Sequence, residues 1–501
     1  MKLMPKIIAA AFLALLLASC GKTEPAGIPA HLREIMEASR AIALPPFPHD
    51  FRERADAFLA QGLRREEDAR ISDGNKRIRL SPDQHFREMR PRDYPADSVS
   101  RDDAAKDIAF LFDLMKYGYA GYQYFGGDEA FLPIRDSMLE RLAEMASPMT
   151  GIALLEQILA PELMPIIADN HFQLHDMPFG APPSSVRMND DFILRRGRGG
   201  FVTIIDSIEY RLVEAALDDG QKIDGVIPTL TREGEAAFAF GHFARWDSWN
   251  DYEMSALLEN ANTGERLSIA IRLRALSDFE GEEILFDEFE LNGVPVVVNR
   301  TLAPELRLGE AGARMRESGA ALRGKSAIVF DLRGHSGGVL DPMLDWVRAL
   351  TGKRPLGRAF ASFGLASRTN GGFVGGDPIW TESVFSTAST QPLPNESLIV
   401  VLMDNYIASA GELLVGRLRE LENVIFVGAN TMGVLLTADL KRTALPLSGI
   451  HVIYGAELNL RPDFSQFEGV GFMPDLWVPP DQSLERVLAF IERYGLLRAA
   501  Q

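Results

Sequence analysis

From residue 100 onward the apolar positions recur at helical spacing, as in Ile108, Leu111, Phe112 and Met115, and again in Phe131, Ile134, Met138 and Leu142. Side chains so spaced share one face of a helix with 3.6 residues per turn. Pro148 and Gly151 punctuate the chain before a third helical pattern through Leu154, Leu155 and Ile158, which predicts a small helical bundle ending near Ile167-Ala168-Asp169-Asn170-His171. Between about 180 and 300 the text is β-rich, with strands expected over 200–205, 267–273 and 294–298. After Gly309 the period changes once more. A helix over 312–322 is followed by an apolar strand over 327–331, a glycine-rich loop and a helix over 341–350. A strand over 398–403, a helix over 410–422 and a strand over 424–427 come next. Continuous apolar strands alternating with amphipathic helices predict a largely parallel sheet covered by helices.

This pattern predicts a multidomain α+β or α/β chain. The expected divisions are a leader over 1–19, a tether and N-terminal extension over 20–98, a helical domain over 99–178, a β-rich domain over 179–290 and a catalytic core over 291–501. Within the extension, a helical pattern over 55–70 stands among many charges and carries no readable role. A length of 501 residues exceeds one ordinary hydrophobic core and agrees with several domains.

The leader is read from its own composition. Lys2 and Lys6 precede an uncharged apolar run over 7–18, which is shorter than the roughly 20 residues needed to span a bilayer and suits a secretory signal. The run ends in Leu17-Ala18-Ser19-Cys20, which resembles the lipobox of bacterial lipoproteins, and Cys20 is the single cysteine of the chain. That resemblance implies lipidation at Cys20. Gly21, where an aspartate would retain a lipoprotein at the inner membrane, implies an outer-membrane anchor facing the periplasm. With its cysteine so used, the chain is expected to form no disulfide and to use no thiolate nucleophile. His171 and His175 alone are too few ligands for zinc, so neither a metal nor another cofactor is expected. A formal charge of −18 repels phosphate backbones and argues against nucleic acid as a partner.

Two glycine-containing segments each follow a buried strand. Asp331-Leu332-Arg333-Gly334-His335-Ser336-Gly337-Gly338 closes the strand over 327–331, where glycines let the backbone turn tightly and aim N–H groups at an anion. Asn405-Tyr406-Ile407-Ala408-Ser409-Ala410-Gly411-Glu412 closes the strand over 398–403 and opens a helix. A serine there is most often a helix cap. The same place also puts a hydroxyl at the positive end of a helix dipole, with the N–H of Ala410 lacking an intrahelical acceptor.

Taken together, D-L-R-G-x-x-G-G and A-S-A-G-E some 70 residues later resemble the tail-specific, or C-terminal-processing, serine peptidase family, which includes the tricorn core peptidase. The resemblance covers about residues 100–480. It implies a crotonase-like spiral of ββα units preceded by a helical domain and often by a PDZ domain, to which Gly264 before the strand over 267–273 gives a faint parallel. It implies Ser409 as nucleophile, with oxyanion donors at Ala410 and at Gly337 or Gly338. His335 stands where many members have asparagine.

One branch of that family takes its base from a lysine in V-G-x-x-T-x-G-K-G. Here Val427-Gly428-Ala429-Asn430-Thr431-Met432-Gly433-Val434 puts Val434 at the lysine position, and Lys441 is out of register. The tricorn-like branch uses a histidine of a D-G-H-T-like text, matched by Asp169-Asn170-His171-Phe172, with Phe172 in place of the hydroxyl residue. His175 is a second candidate. The branch also uses an acid resembling Glu468 in Phe467-Glu468-Gly469-Val470-Gly471, while Asp475 reads as structural. The resemblance thus implies a peptidase acting on polypeptide through an acyl-enzyme, with His171 as general base and Glu468 orienting it or a water. A non-catalytic relative that binds peptide or an apolar ligand is the alternative, because fold alone does not guarantee chemistry. An α/β-hydrolase esterase is excluded by the missing G-x-S-x-G elbow.

Overall fold

A computed structural model describes residues 30–40, 53–54, 57–58, 78–79, 95–180, 184–301 apart from short breaks, 309–354, 360–365, 373–374, 380–385, 392–460 and 468–497. The expected leader, Cys20, the tether and the helical pattern over 55–70 lie outside these residues or nearly so. Helix α1 (Ala30–Arg40) comes first. Helices α2 (Arg101–Gly118) and α3 (Gly127–Glu144) follow, then α4 (Gly151–Leu154), which continues through a π turn to Leu163. Ser100 caps α2 by accepting from the Asp103 N–H, and Asp102 and Asp103 complement the positive end of its dipole. The buried faces of these helices include Ile108, Leu111, Met115, Phe131, Met138, Leu154 and Ile158, the spacing read from the sequence.

The helical layer gives way to a strand that the sequence pattern did not predict. The helix ends at Leu163, and Asp169–Leu174 is a strand, β1, paired with β2 (Met177–Phe179). His171 therefore sits on a strand. Alternation sends Phe172 and Leu174 into the helical core, where Phe172 packs against Tyr119 and Phe179 with ring centroids 4.9 and 5.3 Å apart.

Next come β3 (Ser184–Gly197), β4 (Gly200–Ile205), β5 (Ile208–Leu217), β6 (Val226–Leu230), β7 (Ala236–Arg245), β8 (Tyr252–Asn260) and β9 (Arg266–Ala275). Strands β3, β4, β5, β8 and β9 pair in that order, and β9 returns to β3 through Arg274↔Met188 and Ala275↔Arg187. The sheet closes on itself around Leu194, Phe240, Met254, Ala256, Leu258, Ile271 and Leu273. Closure leaves no free edge among these strands. No helix interrupts residues 184–276 among the described residues, so the expected PDZ-like unit differs from what is observed. A PDZ groove needs a helix beside an open strand edge, and the long alternating strands here satisfy one another instead.

The core is built from β10 (Asp287–Leu291), β11 (Val294–Val298), α5 (Glu310–Ala321), β12 (Ala327–Asp331) and α6 (Asp341–Thr351). It continues with β13 (Leu398–Met403), α7 (Ala410–Leu418), β14 (Val424–Gly428), β15 (Thr437–Ala444), β16 (His451–Leu460), β17 (Leu476–Trp477) and α8 (Ser483–Arg493). Strands β11, β12, β13, β14, β17 and β6 run parallel, and β7 links them to the closed barrel, so barrel and core share one sheet. Both faces of the parallel strands are covered. Ile328, Phe330, Ile399 and Val401 face α5, α6 and α7, while Val329, Val400 and Leu402 face α1 and α8. A second sheet holds β2, β1, β16 and the strand Phe360–Leu365, with β15 on β16. The helical layer packs on it, and buried Asp107 of α2 accepts from the N–H groups of Leu447 and Ser448 before β16.

Candidate active site

Strand β13 is buried at every position and delivers the chain into Asp404-Asn405-Tyr406-Ile407-Ala408 and then Ser409. Ser409 has φ 53° and ψ −119°, which a side chain with a Cβ adopts at a cost on the order of 1–3 kcal/mol unless its surroundings hold it. They do. The Ser409 N–H donates to Glu412 Oε2 at 3.2 Å, the Ala408 N–H to the His335 carbonyl at 3.0 Å, and the Met432 N–H to the Ile407 carbonyl at 2.9 Å. Ala410, the first residue of α7, donates its N–H to no acceptor among the described residues.

The glycine-rich loop is anchored at its start. Arg333 donates twice to the Asp331 carboxylate at 2.8 and 2.6 Å, and Arg300 donates to it at 3.2 Å. Both guanidinium groups lie over the Phe279 ring, 3.9 and 4.4 Å from its centroid for Arg333 and Arg300. The loop then passes directly against the serine. A Cβ added to Gly337 (φ 114°) would stand 3.2 Å from both the Ala408 oxygen and Ser409 Cβ, and 3.5 Å from the Ala410 nitrogen. The Gly337 N–H is committed, donating to His335 Nδ1 at 3.1 Å. Gly338 follows, exposed, with φ 121°. Burial pushes the His335 imidazole down to about 4, so the ring is neutral, and its Nε2 has no partner among the described residues.

His171 lies on the other sheet. Its ring is buried, its backbone N–H donates to Asp169 Oδ1 at 3.0 Å, and its side chain bonds the Thr437 backbone. Burial lowers its pKa below the ordinary histidine value, against the Asp169 charge and the Thr437 bond, which raise it. Nδ1 has no partner. Asp169 is fully buried and accepts from the Tyr119 hydroxyl and Thr437 Oγ1, each at 2.9 Å. Burial raises its pKa.

Residues 429–437 run between the two sides. Glu412 Oε1 accepts from Thr431 Oγ1 at 2.5 Å and the Gly433 N–H at 2.8 Å, and Oε2 accepts from the Val434 N–H at 2.7 Å as well as from Ser409. Burial pushes this carboxyl up to about 7 against the pull of those four donors. Glu468 takes the next stretch, accepting from the N–H groups of Leu435 and Leu436 at 2.6 Å and of Asn170 at 3.0 Å. Its pKa is raised well above the carboxylate range by burial, with the Asp169 charge adding to the effect. The Asn170 amide donates to the Gly433 carbonyl at 2.9 Å.

Of the residues singled out from the sequence, Ser409 and Ala410 adjoin, and Gly337 comes so near them that a Cβ on it would crowd Ser409. His171 borders the same 429–437 segment but exchanges no hydrogen bond with Ser409. Glu468 does not bond the His171 ring, because its oxygens are occupied by backbone N–H groups; it reaches the histidine only through the neighbouring Asn170 backbone. The carboxylate nearest His171 in the hydrogen-bond network is Asp169, which sequence reasoning passed over. Glu412 was also missed as a tie, though its place three residues after Ser409 is a capping-box signal. Val434 is buried with its N–H on Glu412, and Lys441 pairs with Asp439 on β15 at 2.8 Å. His175 lies at the far end of β1, beside His451 with ring centroids 5.5 Å apart. Among the described residues, no three His, Cys, Asp or Glu side chains gather as metal ligands.

Residues 303–478, which carry the glycine-rich loop, Ser409, Glu412 and Glu468, match the model of peptidase family S41. The chain is accordingly a serine-type peptidase by class. The matched segment does not include His171 and Asp169, which belong to the preceding layer. No curated protein matches the chain. Solved structures similar to it include mature CPAF, at 13% identity over 79% of this chain and 96% of that one, TM-score 0.39. The photosystem II D1 C-terminal processing protease is similar at 16% identity over 77% and 96%, TM-score 0.34. The tricorn protease is similar at 12% identity over 79% of this chain and 37% of its own, TM-score 0.36.

Proposed function

We propose that this S41 core hydrolyses peptide bonds of exported polypeptides through an acyl-enzyme on Ser409. One observation carries the reading: Ser409 is held at positive φ at the head of α7, with the Ala410 N–H unpartnered and Gly337 packed against it. An oxyanion formed at Ser409 would meet Ala410 N–H and, from the adjacent loop, Gly338 N–H, since Gly337 donates to His335. His171 takes the serine proton and returns it to the leaving amine. Burial keeps its imidazole neutral at neutral pH, as a base must be. Asp169 fixes the His171 backbone and faces the ring electrostatically, while Glu468 sets the position of this strand through Asn170. No cofactor takes part. Lipidation of Cys20 would hold the enzyme on the outer membrane facing the periplasm. Labelling by a fluorophosphonate probe, lost in Ser409→Ala, tests the nucleophile; accumulation of unprocessed precursor under globomycin, with release of Cys20→Ser from membranes, tests the anchor.

The missing Ser409–His171 bond and the unpartnered His171 Nδ1 favour a second reading, a peptide-binding relative without turnover. Absence of probe labelling on folded protein would select it.

A further inference from the structure

We infer that Asp404 is a positioning residue: its carboxylate ties the glycine-rich loop to the turn before Ser409 and so sets the gap between the two walls of the site. The inference rests on the nucleophile reading above. Asp404 Oδ2 accepts from the Gly334 N–H at 2.8 Å and Oδ1 from the Tyr406 N–H at 3.1 Å. The second bond is an ordinary turn in which an aspartate caps the backbone two residues on. The first is not local, since Gly334 is 70 residues away, on the loop after β12. One carboxylate thus holds the chain five residues before Ser409 and the chain three residues before Gly337.

The surroundings make this an expensive place for a charge. Asp404 is 1% exposed. The charged groups around it are Asp331 at the end of β12, which opposes its ionisation, and Arg333 in the loop, which favours it. Arg333 is bonded to Asp331, as is Arg300, so neither guanidinium is Asp404's own partner. His335, one residue beyond Gly334, is kept neutral by burial. A buried carboxylate without its own cation is retained here against desolvation, which burial registers by pushing its pKa up to about 6. Asparagine offers one oxygen where two N–H groups need two, and its amide would confront the other N–H.

Above about pH 6 both bonds form; below it the protonated oxygen can no longer accept in the same way, and one wall is released. The donors on those walls act on the transition state, so loosening them should act on turnover rather than on substrate binding.

The test is peptide hydrolysis by the full-length protein against pH, for wild type, Asp404→Asn and Ser409→Ala, with thermal melts to establish folding. Wild-type kcat should have an acid limb near pH 6. In Asp404→Asn, kcat at pH 8 should fall by about ten- to a hundredfold while KM moves by less than about threefold. Its acid limb should then follow His171 alone, whose pKa burial holds below the ordinary histidine value. If Ser409→Ala is inactive while folded Asp404→Asn keeps wild-type kcat and the pH 6 limb, the positioning role is overturned and the nucleophile reading stands. If Ser409→Ala is fully active, both fall. Should Asp404→Asn fail to fold, hydrogen exchange of the 332–338 peptide in wild type decides. Exchange corrected for intrinsic rate should rise below pH 6 together with the loss of kcat, and flat exchange across that limb would overturn the tie.

Discussion

Around Ser409 most backbone N–H groups have an acceptor, from Glu412, Asp404 and the His335 carbonyl, and the glycine loop runs so near the serine that a Cβ on Gly337 would crowd it. Around His171 the backbone is equally well fastened, yet the ring itself keeps an unpartnered buried nitrogen and makes no bond to the serine. The two halves belong to different sheets, joined by residues 429–437 through two buried glutamates, Glu412 on one side and Glu468 on the other. The nucleophile half is thus preorganised within one parallel sheet. The distance to the base depends on how the 429–437 segment is held.

The sharpest way to break this comparison is to remove the nucleophile. Ser409→Ala should lower peptide turnover by about ten-thousandfold or more and abolish probe labelling, without changing the melting temperature by more than a few degrees. His171→Ala should lose nearly as much, because members of one catalytic unit act together. If His171→Ala turns over normally while Ser409→Ala is dead, the base lies elsewhere, and His175 is the next residue to replace.

Breaking the connection between the halves should cost stability. Glu412→Gln turns one acceptor oxygen into a donor facing N–H groups, and should lower unfolding free energy by about 3 kcal/mol, read from urea melts. A variant as stable as wild type would mean that the 429–437 segment is held by other contacts.

A smaller effect tests the nucleophile half alone. His335 has a native pKa of about 4 against an ordinary value of 6.5, so it is bound neutral and its contribution is fully present above pH 6.5. Below that, the unfolded chain gains the proton first, and the contribution is lost as pH falls from 6.5 towards 4. Comparing wild type with His335→Asn at pH 7.5 and pH 4.5, wild type should lose about 2 kcal/mol relative to the variant. A pH-independent difference would place the ring in water. Least of all is expected from Val434→Lys, which should leave turnover of His171→Ala unrescued in the same hydrolysis assay. Restored turnover would mean that the pocket at Val434 still accepts a lysine base.

The sequence by itself determined the elements whose signal is local. Apolar runs at 327–331 and 398–403 became buried parallel strands, and the spacing of Ile108, Leu111 and Met115 became the face of α2. The loop and serine texts sit where their strands end, because a strand that is buried on both faces must leave the sheet through a turn and a helix, and only certain residues make that turn. Tertiary structure decided what no local pattern encodes. The bundle was expected to end near residues 167–171 with no strand read there, and pairing with β16 made 169–174 a strand that turns Phe172 into the helical core. A PDZ-like unit was anticipated, but the pairing of β9 with β3 closed the sheet on itself. Glu468 was read as an acid for His171, whereas the backbone N–H groups of Asn170, Leu435 and Leu436 claim its oxygens. Each case turns on a contact between residues far apart in the chain. Strand pairing and carboxylate coordination are settled by which donors arrive in space, and a one-dimensional pattern carries no record of that arrival.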